Sequence, residues 1–157
     1  MSENNVKDVF LAIQKLNDAK EELRSLDVFR SERLTGEFGE WFAERLINAK
    51  RAASTSQTGW DLLGANGEKI QVKTHAKGDK NKARWTEWNY SAGAFDILMI
   101  LVFTKEYKLK EAYRIPYQNA EEEIDFEKKQ VVLKWDDYSE FNIMDEIRNS
   151  ELSIFCI

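Results

Sequence analysis

The stretch Ile97-Leu98-Met99-Ile100-Leu101-Val102-Phe103 constrains this chain more than any other. Seven consecutive apolar residues have no wet face, so a strand made of them needs cover on both sides of its sheet. The run is far too short to cross a bilayer as a helix. A buried central strand over Phe95–Thr104, in a layered α/β domain, is therefore expected. With 157 residues, 43% of them hydrophobic and 32% charged, the chain has material for one such domain and one core.

The remaining pattern arranges itself around that strand. Val6, Val9, Phe10, Ile13, Leu16, Leu23 and Leu26 recur at spacings of three and four, which predicts an amphipathic helix over 4–26. Lys20 interrupts its stripe, so packing on the domain is expected, with a dimer seam as the alternative. A second helix runs from Leu34 to about Lys50, with Thr35 as its N-cap. Glu37, Glu40 and Glu44 form a carboxylate stripe beside its apolar face, and a solvated face accounts for at least two of the three. Trp60–Leu63 and Glu68–Thr74 read as strands joined around Asn66-Gly67. Residues 75–93 read as a long polar, basic connection, and Glu111–Ile115 as a strand stopped by Pro116. Ile124–Phe126 and Val131–Trp135 suggest a hairpin, and Asp137-Tyr138-Ser139-Glu140 a capping box opening a helix to about Arg148. The expectation is a single domain over 1–157, with an N-terminal helical extension at 4–26, a core at about 34–116 and an acidic hairpin and helix at 121–150.

Charge is unevenly placed. Residues 121–157 carry 11 Asp/Glu against 4 Lys/Arg, leaving 17 acids and 19 bases of the totals 28 and 23 in the first 120. Within those, Lys73, Lys77, Lys80, Lys82 and Arg84 face only Asp79, a local basic loop suited to a polyanion despite the net charge of −5. Lys77, Lys80, Lys82 and Arg84 are therefore the candidate phosphate contacts. His75 is either a further contact or a residue closing the strand. Trp85, Trp88 and Tyr90 beside the loop are expected to anchor it to the core, with stacking on unpaired bases as the alternative. The polar start MSENNVKD lacks the pattern of a signal peptide, and Cys156 is the lone cysteine, so a reducing, cytoplasmic setting and no membrane are expected.

Chemistry concentrates in residues 59–78, GWDLLGANGEKIQVKTHAKG. Gln71 and Lys73 interrupt apolar strand text and share one face, opposite Ile70 and Val72. Taken alone, a wet strand face explains them. With Asp61 on the preceding strand and Glu40, or Glu37 as its rival, on the preceding helix, a metal site becomes the preferred reading. Asp61, Gln71, the Val72 backbone carbonyl and Glu40 offer hard oxygens suited to Mg²⁺ or Mn²⁺. Such a metal activates water against a phosphodiester, and Lys73 beside it orients that water or stabilises developing charge. A regular two-residue turn at Asn66-Gly67 would put Asp61 opposite Val72, on the wrong face. The site closes only with an odd loop, a bulge or a bend at Asp61. Three residues, Ala65-Asn66-Gly67 with Gly67 left-handed, would suit.

An acid, a short turn and then Gln-x-Lys resembles the PD-(D/E)XK nuclease superfamily. The helix GEFGEWFAERL, from Gly36 to Leu46, is similar to the helix that donates an additional glutamate there. The Gln-x-Lys variant resembles the Mrr-like restriction endonucleases and is close to Holliday-junction-resolvase-type members. The resemblance covers about 34–116 and implies a restriction-endonuclease-like central mixed sheet flanked by helices. It also implies metal-dependent endonuclease activity on DNA, with Asp61, Gln71, Lys73 and Glu40 catalytic, no small-molecule cofactor, and a possible homodimer. Trp60 stands where the family has proline. Gln71 replaces a carboxylate and removes one negative charge that Glu40 restores. The alternative is a nuclease-fold module without catalysis that binds nucleic acid or a protein partner. A third reading, an accidental motif, requires Asp61 and Lys73 to point apart.

Overall fold

The computed structural model describes residues 6–54, 59–77, 83–90 and 94–157. The apolar run forms β5 (Ile97–Phe103), and its neighbours explain its composition. It pairs in parallel with β3 (Lys69–His75) and antiparallel with β6 (Leu109–Pro116). β2 (Leu62–Leu63) and β1 (Lys50–Arg51) extend the sheet on the β3 side, giving the order β1-β2-β3-β5-β6. Pro116, which has no N–H to donate, closes the edge strand β6 at its last residue.

Both faces of β5 are covered. Met99, Leu101 and Phe103 pack with Phe42 and Ala43 of α2 (Leu34–Ile47) and with Met144 and Ile147 of α4 (Met144–Arg148). Leu98, Ile100 and Val102 pack the other way, onto Leu133 and Trp135. That second layer is a three-stranded antiparallel sheet of β4 (Trp85–Asn89), β8 (Gln130–Lys134) and β7 (Ile124–Asp125). The chain is thus a mixed α/β domain, helices on one face of the main sheet and a small sheet on the other. Flanking helices and a hairpin at 124–135 were expected; the hairpin, joined by β4, forms the second cover.

The difference arises at β4, expected as connection. Thr86 and Trp88 face inward while Trp85, Glu87 and Asn89 face out, a period of two written in polar residues. The helix expected after Asp137 is also different. Trp135 and Tyr138 are both buried, and a three-residue spacing of anchors suits the kinked 3₁₀ segment Trp135–Phe141. α3 (Tyr117–Ala120) links β6 to a further 3₁₀ turn, Glu121–Glu123, and Glu151–Phe155 forms another.

α1 (Val6–Ser25) does not pack along the domain. Phe10, Leu11 and Leu16 are exposed, and only the last turns dock, with Leu23 half-buried near Phe29 and Phe38. Lys20 explains why: it and Arg24 reach Glu32 in the following linker, fastening the base of the helix and leaving its N-terminal turns projecting. Among the described residues no helix is long and apolar enough to cross a membrane.

Candidate active site

The site is built where β2 ends and β3 continues alone. Leu62 pairs with Ile70 and Leu63 with Lys69, which puts three residues, Ala65-Asn66-Gly67, in the turn. The Gly64 N–H donates to the Glu68 carbonyl at 2.8 Å, and Gly67 takes φ +84°, the left-handed conformation glycine adopts without strain. The odd register keeps Leu62 and Ile70 together in the core. Asp61 then slips by one: its N–H donates to Ile70, whose ladder partner is already Leu62. The expected odd loop and the expected irregularity at Asp61 are both present.

That slip turns the Asp61 carboxylate onto the free edge of β3. Its Oδ2 accepts from the Val72 N–H at 2.7 Å and from Gln71 Nε2 at 2.9 Å. Because strand groups alternate, the Val72 carbonyl lies on this same edge while the backbones of Gln71 and Lys73 face β5. Lys73 is close enough to Asp61 for their charges to interact. Burial raises the Asp61 carboxyl, against the Val72 N–H and Lys73. Burial likewise lowers Lys73, against Asp61.

Glu40 arrives from the helix side, and Gly39 sets its distance. A Cβ on Gly39 would fall 1.8 Å from Thr74 Oγ1, so α2 lies on β3 closer than any side chain permits. The Glu40 carboxyl is pushed up to about 7, first by burial and then by the negative charges of Asp61 and Glu37, with Arg30 and Arg51 pulling it down. Glu40 and Asp61 are both partly desolvated and close enough for their charges to interact, as are Asp61 and Lys73. Hard oxygens of carboxylate, amide and backbone type suit Mg²⁺ or Mn²⁺, with water completing the shell. Among the described residues no three His, Cys, Asp or Glu side chains cluster as a metal group; the set here has two carboxylates, and its other oxygens are amide and backbone.

Other expected residues are placed differently. Glu37, the rival ligand, is 3% exposed, and its Oε2 accepts from the backbone N–H of Arg30 and, at 2.6 Å, of Ser31. It caps the linker between α1 and α2. Glu44 is half-buried and accepts from the Arg51 N–H at 2.8 Å. The carboxylate stripe is thus occupied, not solvated. Thr35 is no cap: Arg33 holds that position, and the Thr35 hydroxyl meets Tyr107 at 3.0 Å.

Arg84 is committed within the chain, its guanidinium bidentate to Glu111 at 2.6 and 2.9 Å and paired with Asp136 at 2.8 Å. It joins the start of β4 to β6 and the 3₁₀ segment. His75 is half-buried with Nε2 2.8 Å from Thr86 Oγ1, and burial with the charges of Lys77 and Lys73 lowers it to about 4. It is neutral near pH 7. Lys77 is exposed, while Lys80 and Lys82 lie outside the described residues. Thr86 is the cleft residue that sequence reasoning missed, with the alternation over 85–89 as the available signal; Trp85, expected as a loop anchor with base stacking as the alternative, lines the cleft beside it. A larger hollow of about 760 Å³, lined by Glu44, Arg45, Lys50 and Glu151 among others, lies away from this edge.

No family model matches the chain, and no curated protein matches it.

Proposed function

We propose that this protein is a metal-dependent endonuclease with a restriction-endonuclease-like core, hydrolysing phosphodiester bonds in DNA. The observation carrying this reading is the convergence of Asp61, Gln71, Lys73 and Glu40 at the free edge of β3, with Asp61 held by the Val72 N–H and Gln71. Asp61, the Gln71 amide oxygen, the Val72 carbonyl and Glu40 would hold Mg²⁺ or Mn²⁺. Once bound, the cation supplies charge neutralisation at the phosphate and a water of lowered pKa. Gln71, by donating to Asp61, fixes the orientation of both side chains. Lys73 orients the attacking water or stabilises the charge that develops, and its partial burial strengthens that interaction. Lys77 faces the phosphate backbone beyond it.

The exposed α1 is the surface through which a second copy would pair, placing two sites on one duplex. Positions 6, 9, 13 and 16, ahead of the turns that dock on the domain, alternate spacings of three and four, the repeat of a two-stranded seam.

A panel of plasmid, linear, single-stranded and branched DNA, with Mg²⁺ or Mn²⁺, tests the activity. Wild type should cut, and Asp61→Asn and Lys73→Ala should each lose about 100-fold or more, the scale of removing one charge-stabilising group. Equal cutting by wild type and both variants would refute the assignment. DNA binding without metal-dependent cutting would favour the binding module.

A further inference from the structure

Beyond Lys73, the site opens into a cleft of about 280 Å³ between the end of β3 and the start of β4. It is lined by Lys73, His75, Lys77, Trp85, Thr86 and Glu87, with Thr74 and Ala83 between them. Its floor is rigid. Trp135 Nε1 donates to Thr86 Oγ1 at 2.8 Å, and that hydroxyl also meets His75 Nε2 at 2.8 Å. The His75 ring stands edge-on to Trp135, with centroids 5.0 Å apart.

Trp85 is the anomaly. Trp135 is fully buried, and Trp41, Trp60 and Trp88 are half-buried. Trp88 packs on Phe95 at 6.1 Å and Tyr90 on Phe126 at 5.7 Å, whereas no aromatic ring among the described residues stacks on Trp85. It is 46% exposed in a cleft that is otherwise polar. Its cations are Lys73 and Lys77, and the neutral His75 adds none. Glu87 is the one acid in the lining and disfavours phosphate beside it.

We propose that this cleft is a subsite for one unpaired base of a DNA strand, the base stacking on Trp85 and its flanking phosphate meeting Lys77. The inference rests on the nuclease reading for its substrate, and it specifies that substrate as single-stranded, frayed or branched. A base inside a duplex has both faces covered by its neighbours and offers a ring only its edges. An unstacked base offers a whole face. Thr86 and His75 fix the wall against which the base lies, and the lysines hold the backbone where Lys73 serves the scissile bond.

The test is metal-free binding of a fluorescein-labelled oligothymidylate and of a duplex of equal length, followed by anisotropy. Wild type should prefer the single strand. Trp85→Ala should weaken that binding by about 10-fold, the order of one base–aromatic stack, and change duplex binding by less than about 2-fold. Trp85→Phe should restore most of the loss, and Lys77→Ala should weaken both DNAs. Trp85→Leu repeats the comparison if the alanine variant fails to fold. Equal losses on both DNAs, no loss, or a wild-type preference for duplex would overturn the subsite. Because no metal is present, those outcomes leave the cleavage assignment to Asp61 and Lys73 standing, and failed cleavage leaves this binding result readable.

Discussion

Replacing Glu40 with Gln should stabilise the protein at pH 8 and have less effect at pH 5. The Glu40 carboxyl is raised from 4.5 to about 7, chiefly by burial and then by Asp61 and Glu37. A group whose folded pKa exceeds its unfolded value contributes stability that is full below the unfolded value, here 4.5, and is lost as pH rises through about 7. A span of about 2.5 pH units sets a ceiling of about 3.4 kcal/mol. Glu40 is only half-buried, and solvent screening reduces that to about 1–2 kcal/mol. Gln keeps the shape and cannot ionise, so the variant should gain that amount at pH 8 and about half of it at pH 5. His75 runs the other way: lowered from 6.5 to about 4, it contributes stability above 6.5 that is lost as pH falls through about 4. The variant-minus-wild-type difference, read from urea unfolding at each pH without divalent cation, therefore isolates Glu40. Equal differences at both pH values would refute the raised Glu40 carboxyl. Under the metal reading, Mg²⁺ at pH 8 should stabilise wild type relative to the variant, because a cation beside the carboxylate favours its ionised form.

Gly39→Ala should lower stability by about 1–2 kcal/mol, since overpacking against Thr74 outweighs the helix propensity gained. Thr74→Ala in the same chain should recover part of it, and thermal melts showing the single variant at or above wild type would contradict the close approach. Leu16→Glu on the exposed face of α1 should convert a dimer to a monomer in sedimentation velocity at micromolar concentration. A wild-type monomer under those conditions would remove the pairing proposed for α1.

Legibility in the sequence followed how locally each feature is determined. β5 was readable because an all-apolar strand admits one environment, and the turn because its residue count sets the register of β2 on β3. The contact between Asp61 and Gln71 followed from that register. β4 was weakly marked, its alternation being the one signal, since Thr86, Glu87 and Asn89 become strand only against β8, more than forty residues later. Glu37, Glu44 and Arg84 looked like solvated charge because their partners are distant backbone and side-chain groups. Thr35 had the right type for a cap, yet its hydroxyl was taken by Tyr107 across the fold.

The three-residue turn at Ala65–Gly67 has a consequence for how this protein can change over generations. Leu62 must meet Ile70 inside, and Asp61 must meet Gln71 at the edge. Both conditions depend on whether the loop is odd or even, and only loosely on what fills it. Point changes at Ala65 or Asn66, both exposed, leave that count untouched. Loss or gain of one residue reverses it, sending Leu62 to the wrong face and Asp61 away from Lys73. The inheritance of this site is therefore carried by a length, and a reading frame of one residue guards it more strictly than any side chain in the turn.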